Sequence, residues 1–218
     1  MIANNLRDMI YLIGGPPRGG KTTVAEALAK EKSIPYFSID HVASVIWPYI
    51  PESEYSRAFP LRTAGEETNY SNDVFYAKYS SQEIVGFYLR QAQTYWPGVE
   101  NFIKYALRDE HDLILEGWQL LPCFIRSVIT PENREQQKLL FLYKTDVEDI
   151  VAGLKASRVK NDWVIRNTKN ESTFTAIAEM ISCFGSYIEA EANKYNLQAL
   201  NMDSDFKQKI KGALKILL

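Results

Sequence analysis

Gly15, Gly20, Lys21 and Thr22 stand at the spacing G-x-x-x-x-G-K-[ST] within "LIGGPPRGGKTT", residues 12–23. Each residue type has a task in holding a polyphosphate. Glycines let the backbone close around an anion with its N–H groups turned inward. A helix that begins where the loop ends aims its positive end at the same charge. The Lys21 ammonium suits the terminal phosphates, and the Thr22 hydroxyl is a hard oxygen ligand of the kind Mg2+ takes. Pro16 and Pro17 have no N–H, so the cradle falls to Arg18, Gly19, Gly20, Lys21, Thr22 and Thr23. The Arg18 side chain faces either the phosphates or solvent.

Three further places carry candidate chemistry. Asp40 follows Lys21 by 19 residues, where a second strand ends. In an open α/β sheet ligands bind outside the carboxyl ends of the strands, so a carboxylate there can orient or deprotonate a substrate hydroxyl; its structural role would be to cap the next helix. Glu116 and Gly117 in "LILEGWQLLP" end another apolar run. Glu116 stands where a carboxylate would hold a Mg2+-bound water or grip a substrate hydroxyl, and Gly117 lets the backbone approach a ligand. The stretch "KASRVKNDWVIRNTK", residues 155–169, has five basic residues against one acidic. Such a segment, over 155–170, reads either as a solvated face or as a lid closing on phosphates, with Arg158 and then Arg166 set against developing negative charge.

These residues need a scaffold. "MIYLIG" (9–14), 34–39, 111–117, 137–145 and the shorter 197–203 read as buried strands, separated by helical stretches, which is the alternation of a parallel α/β sheet. Helices are expected over 22–32, over 145–158 behind a Thr145/Glu148 capping box, over about 173–195, and at the C-terminus behind Asp203 or Ser204. Between the second and third strands lie about seventy residues. Residues 48–80 read as irregular. One helix then starts at a Ser80/Glu83 capping box, and Pro97 starts another. Twelve aromatic residues fall between 47 and 96, as a small core or a ligand-stacking wall.

Composition narrows the field. The chain has 218 residues, 46% hydrophobic and 24% charged, with net charge −2. That suits a globular chain of one domain, 1–218, with a helical, aromatic-rich insertion over 47–110 that selects the substrate. The near-neutral balance points away from nucleic acid as a general partner. No apolar run is long enough to span a bilayer and none reads as a leader, so no membrane partner and a cytoplasmic location are expected. Cys123 and Cys183 sit outside any CxxC pair and read as buried free thiols. No N-K-x-D or strand-end D-x-x-G of a GTPase occurs, nor the signature segment of a transporter ATPase.

The run from Leu12 to Asp40 resembles the start of the small P-loop kinases: shikimate kinase, gluconate kinase, the chloramphenicol phosphotransferases and adenylate-kinase-like enzymes. Ser38 and Asp40 stand where shikimate kinases carry Asp-x-Asp. "LEGWQLLP" is similar to the EG-x-x-L-x-P of 2-phosphoglycerate-kinase-like proteins, and lacks the arginine of the adenylate-kinase DGFPR. The resemblance implies a three-layer fold around a five-stranded parallel sheet of order 2-3-1-4-5, with ATP and Mg2+, a lid, and a substrate region between strands two and three. The expected activity is transfer of the γ-phosphoryl group to a hydroxyl of a small molecule. The competing expectations are a regulatory nucleotide-binding protein with little or no ATPase activity, and a kinase of nucleotides or macromolecules.

Overall fold

The computed structural model describes residues 9–158 and 162–218. In chain order the elements are β1 (Ile10–Gly14), α1 (Lys21–Lys32), β2 (Tyr36–Ser38), α2 (Ile39–Ile46), α3 (Tyr55–Ala58), α4 (Pro60–Glu67), α5 (Asn72–Lys78), α6 (Ser81–Arg108), β3 (Leu113–Gly117), α7 (Pro122–Ile125), β4 (Gln137–Tyr143), α8 (Val147–Lys155), α9 (Trp163–Asn167), α10 (Glu171–Lys194), β5 (Ala199–Asn201) and α11 (Phe206–Leu217). The five strands are all parallel and lie in the order β2-β3-β1-β4-β5.

Strand periodicity makes the three layers. In β1, Ile10 and Leu12 face one side and Tyr11 and Ile13 the other, and all four are buried. The first side packs under α2, α6 and α10, the second under α1 and α11 through Val24, Leu28, Ala213 and Leu217. A strand covered on both faces can be apolar throughout, and this is why β1 and β3 show no polar alternation until Glu116. Between α10 and β4 the backbones nearly touch: a Cβ on Gly185 would lie 2.0 Å from the Lys144 carbonyl oxygen.

The register decides what meets at the sheet's carboxyl edge. Ile13 pairs with Glu116, Gly14 with Gly117, and Ser38 with Glu116. The exits of β1, β2 and β3 therefore stand side by side, bringing the glycine loop, the 38–40 segment and Glu116–Gly117 to one place.

Four local expectations are corrected. Residues 48–80 are not irregular: they hold α3, α4, α5 and two short 3-10 turns. Their rings form a packed chain, with Tyr55–Phe59 centroids at 5.2 Å, Phe59–Tyr95 at 5.6 Å and Tyr79–Phe87 at 5.1 Å. That burial outweighs a composition rich in turn formers. Pro97 does not start a helix but sits exposed inside α6, which runs unbroken for 28 residues from its Ser80/Glu83 capping box. Proline there forfeits one ladder bond, to the Gln93 carbonyl, and a helix anchored on both sides of it by buried Ile84, Ala92, Val99 and Ile103 tolerates the loss. The cap of α8 is Asp146, accepting from the Asp149 amide at 3.0 Å, not Thr145. Asp205 caps α11, not Asp203 or Ser204. The two misplacements have one cause. The Asp203 carboxylate bonds the Thr145 amide and hydroxyl and the Asp146 amide at 3.0–3.2 Å, stitching the ends of β4 and β5 together.

Candidate active site

The loop after β1 takes the shape its residues allow. Gly15 has φ 137°, and a Cβ there would stand 2.0 Å from the Leu142 carbonyl oxygen, so only glycine fits. Arg18 and Gly20 both lie in the left-handed region, at φ 64° and 92°. Gly20 is the N-cap of α1 and brings no side chain to satisfy the first-turn amides of Lys21, Thr22 and Thr23. Those amides and the helix dipole form an electropositive mouth.

Lys21 is buried, 8% exposed, and its Nζ donates to the Pro16 carbonyl at 2.8 Å, bridging the loop it belongs to. Burial pulls its pKa below the ordinary lysine value, against the raising effect of Glu116 and Asp40. Glu116 is 4% exposed, and the Thr22 hydroxyl donates to its Oε1 at 3.4 Å. This pair of hard oxygen donors fits a magnesium ion delivered with a nucleotide. Among the described residues no group of three or more His, Cys, Asp or Glu side chains converges to hold a metal unaided.

Asp40 is placed one step beyond the expected strand end, in the first turn of α2, where the cap is Ser38, accepting from the Asp40 amide. Its carboxylate is thus spared capping duty. Instead Oδ1 accepts from Trp118 Nε1 at 3.1 Å and from Gln119 Nε2 at 2.8 Å. Both donors share one oxygen, and among the described residues none bonds Oδ2. Gln119 is fully buried, with its own Oε1 unpartnered beside Gly117, where a Cβ would lie 2.5 Å away. Trp118 stands edge-on to Tyr88 at 4.9 Å, so the aromatic core of the insertion backs the Asp40 carboxylate.

Arg18 faces neither solvent alone nor an open anion site. Its guanidinium is 2.7 Å from Asp162, whose carboxylate also accepts from the Ser157 hydroxyl and the Val164 amide. Burial pushes the Asp162 carboxyl up, but the Ser157 bond, the Arg18 charge and the Val164 amide together hold it below its ordinary value. Asn72 donates to the Trp163 carbonyl and the Thr168 hydroxyl, and Asp73 accepts from the Lys169 and Asn170 amides and the Thr173 hydroxyl. The 162–173 segment is tied in this way to both the loop and the insertion. Residues 159–161 of the expected lid lie outside the described residues.

Two clefts flank the loop. One, of about 440 Å³, is lined by Pro17, Arg18, Lys21, Thr22, Tyr36, Ser38, Asp40, His41, Tyr88, Glu116, Gly117, Trp118 and Trp163. The other, of about 730 Å³, runs along Gly20, Thr23 and Lys144 to Gly153, Arg158 and Phe206. Arg18, Lys21 and Thr22 line both, so the loop is their common wall. The structure thus gathers Lys21, Thr22, Asp40, Glu116 and Gly117 in the first cleft and puts Arg158 in the second. Gly15 and Gly19 are buried under the loop. Arg166 joins neither cleft and is exposed on α9, its Nε 3.3 Å from Asn167 Oδ1. Trp118, Gln119 and Asp162 were missed by sequence reasoning. The only signal for the first two was their place directly after Glu116–Gly117. Cys123 and Cys183 are free and half-buried, more open than expected.

No protein-family model matches the chain. It is 28% identical over 125 residues to a mevalonate-3-phosphate 5-kinase of Thermoplasma acidophilum, a match covering 57% of each chain. The chain therefore matches a little over half the length of that curated relative. Among solved structures, a gluconokinase from Sinorhizobium meliloti 1021 overlays with TM-score 0.53 and 11% identity, covering 97% of this chain and 91% of that one. A shikimate kinase from Bacteroides thetaiotaomicron overlays with TM-score 0.44 and 14% identity, covering 95% and 94%. The sheet order, the glycine loop between β1 and α1 and the gluconokinase overlay together give the chain the three-layer fold of the small P-loop kinases.

Proposed function

We propose that the chain is an ATP-dependent kinase that transfers the γ-phosphoryl group to a hydroxyl of a small molecule. The observation that carries this reading is the loop as common wall of two clefts, with Lys21 and Thr22 facing both. A donor lying in the larger cleft extends its phosphates across the mouth of α1 and presents the last one to the smaller. Phe206, whose ring lies beside Gly20, and Arg158 line this cleft and offer the nucleotide a ring face and a cation. The gluconokinase and the mevalonate-3-phosphate 5-kinase that the chain resembles are by name kinases of small molecules, which agrees with a small-molecule acceptor.

The residues then divide the work. The amides of residues 18–23 and the Lys21 ammonium hold the phosphates and take up charge as the bond to the leaving oxygen lengthens. Thr22 and Glu116 would hold the magnesium of the nucleotide, which supplies charge neutralisation between the phosphates. Asp40 receives the acceptor hydroxyl on Oδ2, aligns it for in-line attack and takes its proton as the new O–P bond forms and the β–γ bridge breaks. Trp118 and Gln119 fix the carboxylate in that attitude. Arg158 stands at the rim of the donor cleft, while Arg166 would need to leave α9's surface to reach the phosphates.

The test is a phosphoryl-transfer screen with ATP and GTP in parallel against metabolites, nucleosides and antibiotics. Wild type turns over one acceptor group, and Lys21→Ala abolishes transfer with an unchanged circular dichroism spectrum. An active wild type that loses nothing on this substitution overturns the assignment.

A further inference from the structure

The acceptor's chemical class is written in the charges of the smaller cleft, and this inference rests on the kinase reading. Two cations line that cleft among the described residues apart from His41: Arg18 and Lys21. Neither is available to an acceptor. Arg18 is neutralised by Asp162 at 2.7 Å. Lys21 is buried within the loop, bound to Pro16, and belongs to the phosphate mouth. The acceptor end instead presents two carboxylates. Asp40 is held by the neutral N–H groups of Trp118 and Gln119, not by a cation. Glu116 touches the Thr22 hydroxyl.

Anion recognition in a cleft is ordinarily the work of a guanidinium fork or an ammonium aimed at the ligand. Here the rest of the lining includes Tyr36, Ser38, His41, Tyr88, Trp118 and Trp163. The Tyr88–Trp118 pair, edge-to-face at 4.9 Å, lines the same cleft as Asp40. The Lys21 charge acts on both carboxylates but serves the donor's phosphates, and aromatic faces beside a carboxylate attract cations and the C–H faces of neutral rings and repel a second anion.

We infer that the acceptor is a hydroxyl compound without an anionic group, a neutral polyol or an amino alcohol, and that carboxylates and phosphate esters are disfavoured by Asp40 and by the lack of a free guanidinium or ammonium among the described lining residues. Asp40 orients the reacting hydroxyl, and the aromatic walls take the ring or ammonium end. This would set the chain apart from the gluconokinase and the mevalonate-3-phosphate 5-kinase it resembles, whose names imply anionic acceptors.

The experiment uses matched triples that differ in one group. Gluconate, glucitol and glucamine form one. 3-(Hydroxymethyl)benzoate, benzene-1,3-dimethanol and 3-(hydroxymethyl)benzylamine form another. Both sit within a larger library of hydroxyl compounds sorted by charge. Binding is read by saturation-transfer NMR with a non-hydrolysable ATP analogue and magnesium present, and turnover by release of ADP. Neutral or cationic members should exceed their carboxylate partners by roughly a hundredfold or more in kcat/KM. In Asp40→Asn, which keeps the shape and removes the acceptor-side charge, the corresponding ratio of affinities should shrink by about tenfold whatever happens to the turnover rate. Carboxylates that match or exceed their neutral partners overturn the inference and leave the kinase reading standing. The same holds for an affinity ratio that Asp40→Asn does not move. Nucleotide binding with no acceptor of any charge bound overturns both.

Discussion

Gln119 Nε2 donates to Asp40 Oδ1 at 2.8 Å, joining the segment after β3 to the first turn of α2 across 79 residues of sequence. Trp118 Nε1 donates to the same oxygen at 3.1 Å. Gln119→Leu and Trp118→Phe each keep bulk while removing one donor. Each should lower kcat about tenfold, and the pair together about a hundredfold, with KM for ATP unchanged, because only the aim of the carboxylate is lost. Steady-state kinetics with nucleotide and acceptor varied separately checks this. A rise in KM for ATP would show that the two side chains serve the fold more than the carboxylate.

The Arg18–Asp162 pair ties the phosphate loop to the segment leading into α9. Asp162 is held below the ordinary carboxyl range in the folded chain. Its stabilisation is therefore present above the unfolded value of about 4 and is lost as pH falls through the folded value. Asp162→Asn should cost on the order of 2 kcal/mol at neutral pH, with the difference from wild type closing in acid. Urea denaturation of wild type, Asp162→Asn, Arg18→Met and the double variant, at pH 7 and in acid, measures the loss and the coupling. A penalty that persists undiminished in acid would place it outside the ion pair.

Gly185 lets α10 lie directly on the β4 exit, 2.0 Å being all a Cβ would have to the Lys144 carbonyl. Both partners at that contact are backbone, so no side chain can yield. Gly185→Ala should destabilise the chain by about 3 kcal/mol or more, whereas Gly153→Ala on α8, where a Cβ meets nothing within 4 Å, should be neutral or slightly stabilising. Thermal denaturation of the two variants side by side makes the comparison.

Much of this architecture was legible in the sequence because it is local. Unbroken apolar runs mark β1 and β3, the glycines fix the loop, and the Ser80/Glu83 box marks the start of α6. What escaped depends on distant partners. Asp203 looks like a cap for α11 until Thr145, 58 residues away, is seen to use its carboxylate. Pro97 looks like a helix start until the buried residues on both sides of it are counted. The 48–80 stretch looks irregular because its short helices are held by rings from elsewhere, Phe59 by Tyr95 among them. The site follows the same rule. Lys21 and Thr22 stand in a motif, and Asp40 and Glu116 stand at strand ends. The residues that hold Asp40 and Arg18 in place are defined only once the chain has folded.

The central claim is that the mouth of α1, with Lys21 behind it, grips the triphosphate of a purine nucleotide. Isothermal titration calorimetry of a non-hydrolysable ATP analogue, with and without magnesium, tests it most directly. The wild-type chain should bind with magnesium-dependent heat, Lys21→Met should weaken binding by about tenfold or more, and Arg166→Ala should bind as wild type does. Heat of the same size and affinity from wild type and Lys21→Met, or no heat from any purine triphosphate, would contradict the account.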